Sequence, residues 1–342
     1  MLQHDQAATL WYAILAVAWT LYAAQESYIV GSGMVHRLGY GPAKRRSIQL
    51  SAGLHYDGIE VWLITAVGGT FAAFPPVFAA ILSSLYVPFF ILIASLIARA
   101  VSIEFMYKDE SPSWRNLMST VWCVSSFLIP LVLGVYFANV FGGLAVDASG
   151  YKGRILELFG PIGLAGGLFL VANAIASGWA WIGLTTIPNE EGKGAPGSTP
   201  LAAAVVSLFA LLALFLGLNN KTSLFASSAL LSTAPVLWAL PGLAVVAGAL
   251  AVLAAWKKAP ALLLASSVAS LGLAMASLFV AAFPRMLISS IDSLFGLDAK
   301  GGSSSQATLS VMSWAALVFV PIVLAYQAWK YARFRKDKNE EA

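Results

Sequence analysis

The sequence predicts an all-α, polytopic membrane protein with nine transmembrane helices, its N-terminus outside and its C-terminus cytoplasmic. Three observations predict it. Of the 342 residues, 59% are hydrophobic and only 11% are charged, with a mean hydropathy of +0.80; ordinary soluble domains carry about 45–50% apolar and about 25% charged residues. Nine apolar runs reach or approach the ~20 residues that cross a bilayer core of about 30 Å. Lys and Arg are sorted to one set of connecting loops, as the positive-inside bias requires.

The runs cover roughly 9–34, 54–74, 76–104, 115–142, 158–187, 200–218, 234–256, 260–283 and 307–332. The leading MLQHDQAATL has no basic region and no A-x-A-like cleavage site, so the first helix is expected to be retained and not removed as a signal peptide. Pro75-Pro76 separates the second and third runs. A double proline lacks two amide donors and biases its predecessor away from helix, which predicts a short turn there. Pro88, Pro130 and Pro321 fall inside runs and read as kinks, which membrane helices tolerate.

The polar, Gly- and Pro-rich stretch at 188–200 (PNEEGKGAPGSTP) reads as a flexible cytoplasmic linker within one membrane domain. It divides a five-helix group, 1–187, which carries nearly all the buried polar residues, from a four-helix scaffold group, 201–342, dominated by Ala, Leu and Val. No internal repeat is evident. With the N-terminus outside, fifteen of the 20 Lys and Arg residues fall inside, leaving Lys152, Arg154, Lys221, Arg285 and Lys300 outside. The reverse orientation inverts that bias.

Composition excludes several function classes. Cys123 is the only cysteine, so neither an intramolecular disulfide nor a cysteine-based zinc or iron–sulfur site is available. The net charge of +4 comes from short loops between apolar runs, which argues for topology and against nucleic acid. Walker A, H-E-x-x-H and G-x-S-x-G patterns are absent. His4, His36 and His55 are the only histidines and no helix interior pairs two of them, so no haem is expected on this chain. No catalytic or metal-binding residue is assigned. Gly31-Ser32-Gly33, Gly68-Gly69 and Gly142-Gly143 read as close-packing sites. Trp11, Trp114 and Trp329 read as interfacial aromatic belt.

What remains is a set of ionisable groups inside apolar runs, which are costly there and mark function by default. They are Glu26, Asp57, Glu60 and Glu104, with Arg99 among them and His55 at the mouth of the second run. At a rise of about 1.5 Å per residue, Glu26 lies about 12 Å from the cytoplasmic end, Asp57 about 5 Å in and Glu60 about 9 Å in. Arg99 lies one turn deeper than Glu104. All belong to the inner half of three consecutive helices. Desolvation and mutual repulsion disfavour four carboxylate charges together, so the group resembles a proton relay. Two other readings stand beside it: Arg99 and backbone donors neutralise structural acids, or the carboxylates hold a cation such as Na⁺ or Ca²⁺.

The second run carries a longer pattern. His55-Tyr56-Asp57-Gly58-Ile59-Glu60-Val61-Trp62-Leu63-Ile64-Thr65-Ala66, then Phe71-Ala72-Ala73-Phe74-Pro75, resembles the signature of subunit II of cytochrome bd-type quinol oxidases. Trp114-Arg115-Asn116, Pro130-Leu131-Val132, Leu237-Trp238-Ala239-Leu240-Pro241, Ser304-Ser305-Gln306 and Val320-Pro321-Ile322 extend the resemblance over essentially the whole chain. It implies a haem-free, nine-helix partner of a haem-bearing subunit I, which carries two b-type haems and one d-type haem and binds quinol. A small single-span subunit, lipid and quinone are further partners of that kind of complex. The implied complex sits in a bacterial or archaeal cytoplasmic membrane, oxidises quinol and reduces dioxygen to water. The resemblance also implies that Asp57, Glu104, Arg99 and Glu26 match positions of a cytoplasmic proton path. It departs at Ile29, where a second acid is usual, and at Ile59, where Asn is usual. A stand-alone proton- or cation-coupled transporter and a purely structural assembly subunit are the competing readings. The lack of buried charge in the second half disfavours transport by paired halves.

Overall fold

A computed structural model describes residues 3–185 and 198–340; most of the expected linker lies outside the described residues. Among them the chain forms twelve α-helices: α1 His4–Val35, α2 Pro42–Gly53, α3 Tyr56–Ala73, α4 Pro75–Ser84, α5 Tyr86–Phe105, α6 Pro112–Gly142, α7 Pro161–Thr185, α8 Thr199–Thr222, α9 Ala229–Thr233, α10 Ala239–Trp256, α11 Pro260–Ala282 and α12 Gln306–Glu340. Two short antiparallel hairpins, β1 Val146–Asp147 with β2 Gly150–Tyr151 and β3 Arg285–Leu287 with β4 Leu297–Asp298, lie in the connections. Seven described segments are long and apolar enough to cross a membrane: α1, α5, α6, α7, α8, Pro235–Trp256 containing α10, and α11. The chain is therefore a multi-pass helical membrane protein.

The third apolar run is not one helix. The chain leaves α3 at Phe74 (φ −136°, ψ 62°) and Pro75 and Pro76 open α4, where a missing amide costs nothing. The turn falls where the double proline predicts it, with a bend of 117°. However, α4 has only 10 residues and stops at Leu85, one residue before α5 begins. Pro88 offers no N–H to the carbonyl of Ser84, so it sits in the first turn of α5 beside a helix break and is not a kink within a span. Pro130 and Pro321 do lie inside continuous helices, α6 and α12.

Two further elements differ from expectation. The stretch after α1 folds into α2, which tucks Ile48, Gln49 and Ala52 against the bundle. The run beginning at 234 is led by α9 and a 3₁₀ turn, Pro235–Trp238.

α1 and α7 form the centre of the bundle: α1 touches α3, α6, α7 and α11, and α7 touches α1, α6, α8 and α11. Gly31 makes their crossing possible, since a Cβ there would collide with the Ala174 carbonyl and sit 2.8 Å from the Gly178 Cα. Close packing holds at Gly33 and Gly69 too, but not at Gly68, which faces open space. Gly143 is instead a turn residue with φ +83° at the end of α6. Trp11 is not a belt residue either: it is buried, and its indole donates to the Ser313 Oγ of α12 at 3.0 Å.

The connections gather at two ends. At one end His4 meets the Ser304 carbonyl, Ser304 N–H donates to the Ala73 carbonyl, and Leu144 N–H donates to the Ile288 carbonyl. At the other lie the C-terminus of α1, all of α2, and the junction between α5 and α6.

Candidate functional site

The site grows from helix-face spacing. On α1, Tyr22 and Glu26 are four residues apart and share a face; on α3, Tyr56 and Glu60 do the same. α3 and α5 bring their faces to that of α1 toward the α2 end of the bundle. There Arg99 of α5, with no solvent exposure, donates through Nη1 to Glu26 Oε1 and through Nη2 to Glu60 Oε1 at 2.5 Å. Glu26 is buried, and the Glu60 side chain keeps 26% exposure.

Three oppositely charged groups in apolar surroundings make a pair and a surplus. One guanidinium balances one carboxylate, so the group reaches neutrality when the two carboxyls share one proton between them. Removing Arg99 leaves carboxylate charge uncompensated, which costs far more than the pair contributes. Arg99 occupies the space between Glu26 and Glu60, where a cation would have to sit. This makes the cation reading the weakest of the three.

Glu104 joins through a residue the sequence reading had assigned no role. The Tyr56 hydroxyl donates to Glu104 Oε1 at 3.2 Å, and the Tyr56 ring centre lies 5.7 Å from the Arg99 guanidinium. Glu104 is exposed. An exposed carboxylate thus meets a phenol, the phenol's ring lies beside the buried guanidinium, and that guanidinium joins the half-buried carboxylate to the buried one. Glu26 Oε2 has no hydrogen-bond partner, and Glu26 lines a small cavity with Ser27, Ile129, Pro130, Leu170 and Leu271. The Tyr22 hydroxyl, one turn before Glu26, is also buried without a partner. The i, i+4 spacings from the two glutamates were the signal that marks both tyrosines.

Asp57 and His55 are not drawn into the triad. Asp57 is exposed in the first turn of α3, where a negative charge complements the helix dipole. His55 precedes that helix, donates from Nδ1 to the Ser51 carbonyl at 2.8 Å, and meets the Trp181 ring edge-on at 5.2 Å.

A buried histidine lies just beyond α1. His36 Nδ1 is 2.6 Å from the Gly33 carbonyl, its Nε2 is 2.6 Å from Ser119 Oγ, and its ring lies 4.3 Å from that of Trp122. A carbonyl only accepts, so Nδ1 carries the proton and Nε2 accepts from Ser119. Burial, aided by Arg45 and Arg37, pushes His36 down to about 4, against the Gly33 bond that favours the proton.

A polytopic helical bundle with a buried Arg–carboxylate triad near one end defines the class: a multi-pass membrane protein that keeps ionisable groups among its helices. Residues 7–334 match the family described as cytochrome bd terminal oxidase subunit II. The chain belongs to that family. It is 32% identical to cytochrome bd-I ubiquinol oxidase subunit 2 of Escherichia coli strain K12, over 97% of this chain and 95% of that one. It is 31% identical to cytochrome bd ubiquinol oxidase subunit 2 of Bacillus subtilis strain 168, over 96% and 95%. In fold it is similar to a chain of the bd oxidase from Geobacillus thermodenitrificans, with a TM-score of 0.72, 13% identity and coverage of 96% of this chain and 98% of the other.

Proposed function

We propose that this chain is the haem-free subunit II of a cytochrome bd-type quinol:oxygen oxidoreductase. Its partner is a haem-bearing subunit I with two b-type haems, one d-type haem and the quinol site. The chain spans a bacterial or archaeal cytoplasmic membrane nine times, with the α2 end facing the cytoplasm. α3 and α12 join the seven segments named above to make nine, and the charge bias of the loops supports this orientation. No helix interior pairs two of the three histidines, which supports a chain without haem ligands.

In this reading the chain supports subunit I and supplies part of the cytoplasmic proton path for reduction of dioxygen to water. Glu104 and Asp57 collect protons at the entrance. Tyr56, Glu60 and Glu26 carry them inward, and Arg99 holds the two glutamates in register. The series of contacts from Glu104 through Tyr56 to the triad is the observation that carries the proposal. A transporter built of paired halves has less support, because among the described residues the buried acidic and basic side chains, Glu26, His36 and Arg99, all lie in the first half of the chain.

Glu60→Gln and Asp57→Asn in the purified complex test it. Both are expected to keep full haem content and to slow quinol oxidation, Glu60→Gln by tenfold or more, as for loss of a proton-transfer group. Wild-type turnover in both makes the acids structural, and purification without a haem-bearing partner removes the oxidase reading itself.

A further inference from the structure

Away from the triad, α2 carries a group of cations with no matching acids of its own. This helix packs against α1, α3, α5 and α7, and Gln49 fastens it by donating to the Ile103 carbonyl at 2.6 Å. Its first turns present Lys44, Arg45 and Arg46. The Arg46 guanidinium lies 5.4 Å from the ring centre of Tyr107, in the connection after α5, and that of Arg115, at the start of α6, lies 5.5 Å from the same ring. Two guanidiniums from different helices therefore converge on one phenol. Lys44 Nζ stands 5.6 Å from the ring centre of Tyr40, and Arg45 has a buried Nε with no hydrogen-bond partner.

Among the described residues none of these four cations has an ion pair. The acids nearby are bonded elsewhere or exposed. Glu104 takes the Tyr56 hydroxyl, Asp109 accepts from the Ser111 amide at 2.7 Å and offers Arg115 only its backbone carbonyl, and Glu110 is exposed. Like charges crowded without a counter-charge repel, and a diffuse anion between them relieves that. Arginine forks fit phosphate oxygens two at a time. Leu38, Leu50 and Leu54, 41%, 54% and 46% exposed, flank the cations with apolar surface. The indole of Trp114, next to Arg115, is anchored on the Phe105 carbonyl at 2.9 Å, and such amphipathic rings favour the headgroup level.

We propose that Lys44, Arg45, Arg46 and Arg115, grouped around Tyr107, bind the phosphate headgroup of an anionic phospholipid of the adjoining leaflet, whose acyl chains run along the exposed leucines. Basic clusters beside spans attract such lipids. This site does not touch the triad and does not depend on the proton path.

Native mass spectrometry tests it on the full chain, purified in detergent with whatever it assembles with, delipidated and titrated with short-chain phosphatidylglycerol. Wild type is expected to retain one more phosphatidylglycerol than Arg46→Gln/Arg115→Gln, with the variant binding about thirtyfold more weakly. Phosphatidylcholine and inorganic phosphate, as competitors, are expected to leave that lipid in place. Lys257→Gln/Lys258→Gln, which removes two exposed cations elsewhere, is expected to bind as wild type does. Equal retention by wild type and the Arg variant overturns the proposal. So does equal loss in the lysine control, or displacement by inorganic phosphate, which would make the anion a soluble one. If the double variant fails to assemble, the exposed Arg46→Gln alone is compared in the same way and read by the same outcomes.

Discussion

Arg99 and Glu26, 73 residues apart in the chain, meet as an ion pair that excludes solvent from both side chains. Glu60 shares the same guanidinium, so the position of three helices depends on one cation. Arg99→Gln leaves two carboxylates without their counter-charge, and breaking a buried pair from one side costs about 3–5 kcal/mol. A large fall in melting temperature and in yield of folded protein is expected. Arg99→Gln/Glu26→Gln should recover part of the loss, because contacting residues couple. Equal destabilisation in the single and double variants would show that the triad does not act as a unit.

Tyr56 contacts Glu104 through its hydroxyl and the triad through its ring. Tyr56→Phe keeps the ring beside Arg99 and removes only the hydroxyl. Because Glu104 is exposed, water replaces the lost bond, and the stability change should stay near 1 kcal/mol or below. Turnover of the assembled oxidase, in contrast, is expected to fall severalfold. Unchanged turnover, with proton uptake as fast as in wild type, would take Tyr56 out of the path.

The α1–α7 crossing gives a purely structural prediction. Gly31→Ala places a methyl where the Ala174 carbonyl and the Gly178 Cα already sit. Both obstacles are backbone, so the helices must separate, at a cost of about 1–3 kcal/mol or more. Gly68→Ala, which faces open space, is expected to be near neutral in the same thermal melt. If the two variants melt alike, the helices do not cross as tightly as the packing indicates.

These variants also mark where the sequence was legible. Hydropathy locates the long helices because each must cover an apolar slab, and the cost of burying charge selects Glu26, Glu60 and Arg99 without any structure. The same logic also selects Asp57, yet Asp57 is exposed while Glu60, three residues on, reaches the triad; a shift of one turn along the same helix face is too fine for hydropathy to resolve. The break at Leu85 was hidden because Pro88 sits in an unbroken apolar run. A kink and a break between two helices look alike there. α2 was missed for the opposite reason: a basic stretch of 12 residues carries too little apolar signal to stand out. Tyr22 and Tyr56 were legible only once Glu26 and Glu60 were known to face one another.

His36 yields a pH dependence with a definite sign. It lies one residue beyond α1, buried and neutral, and is pushed down to about 4 chiefly by burial. An unfolded chain takes up this proton near the ordinary value of about 6.5. Between those two values the unfolded state binds more protons than the folded one, so stability rises with pH across the interval. Stability is complete above the upper value and is lost as pH falls toward the lower one, by about 3 kcal/mol over the full range. His36→Gln removes this titration while keeping an amide that can bond to the Gly33 carbonyl. Melting temperatures measured from pH 7 to pH 4 should therefore fall more steeply for wild type than for His36→Gln. Parallel curves would mean that the buried imidazole takes up its proton within the folded protein. In that case the Gly33 and Ser119 contacts do not hold it in the neutral form.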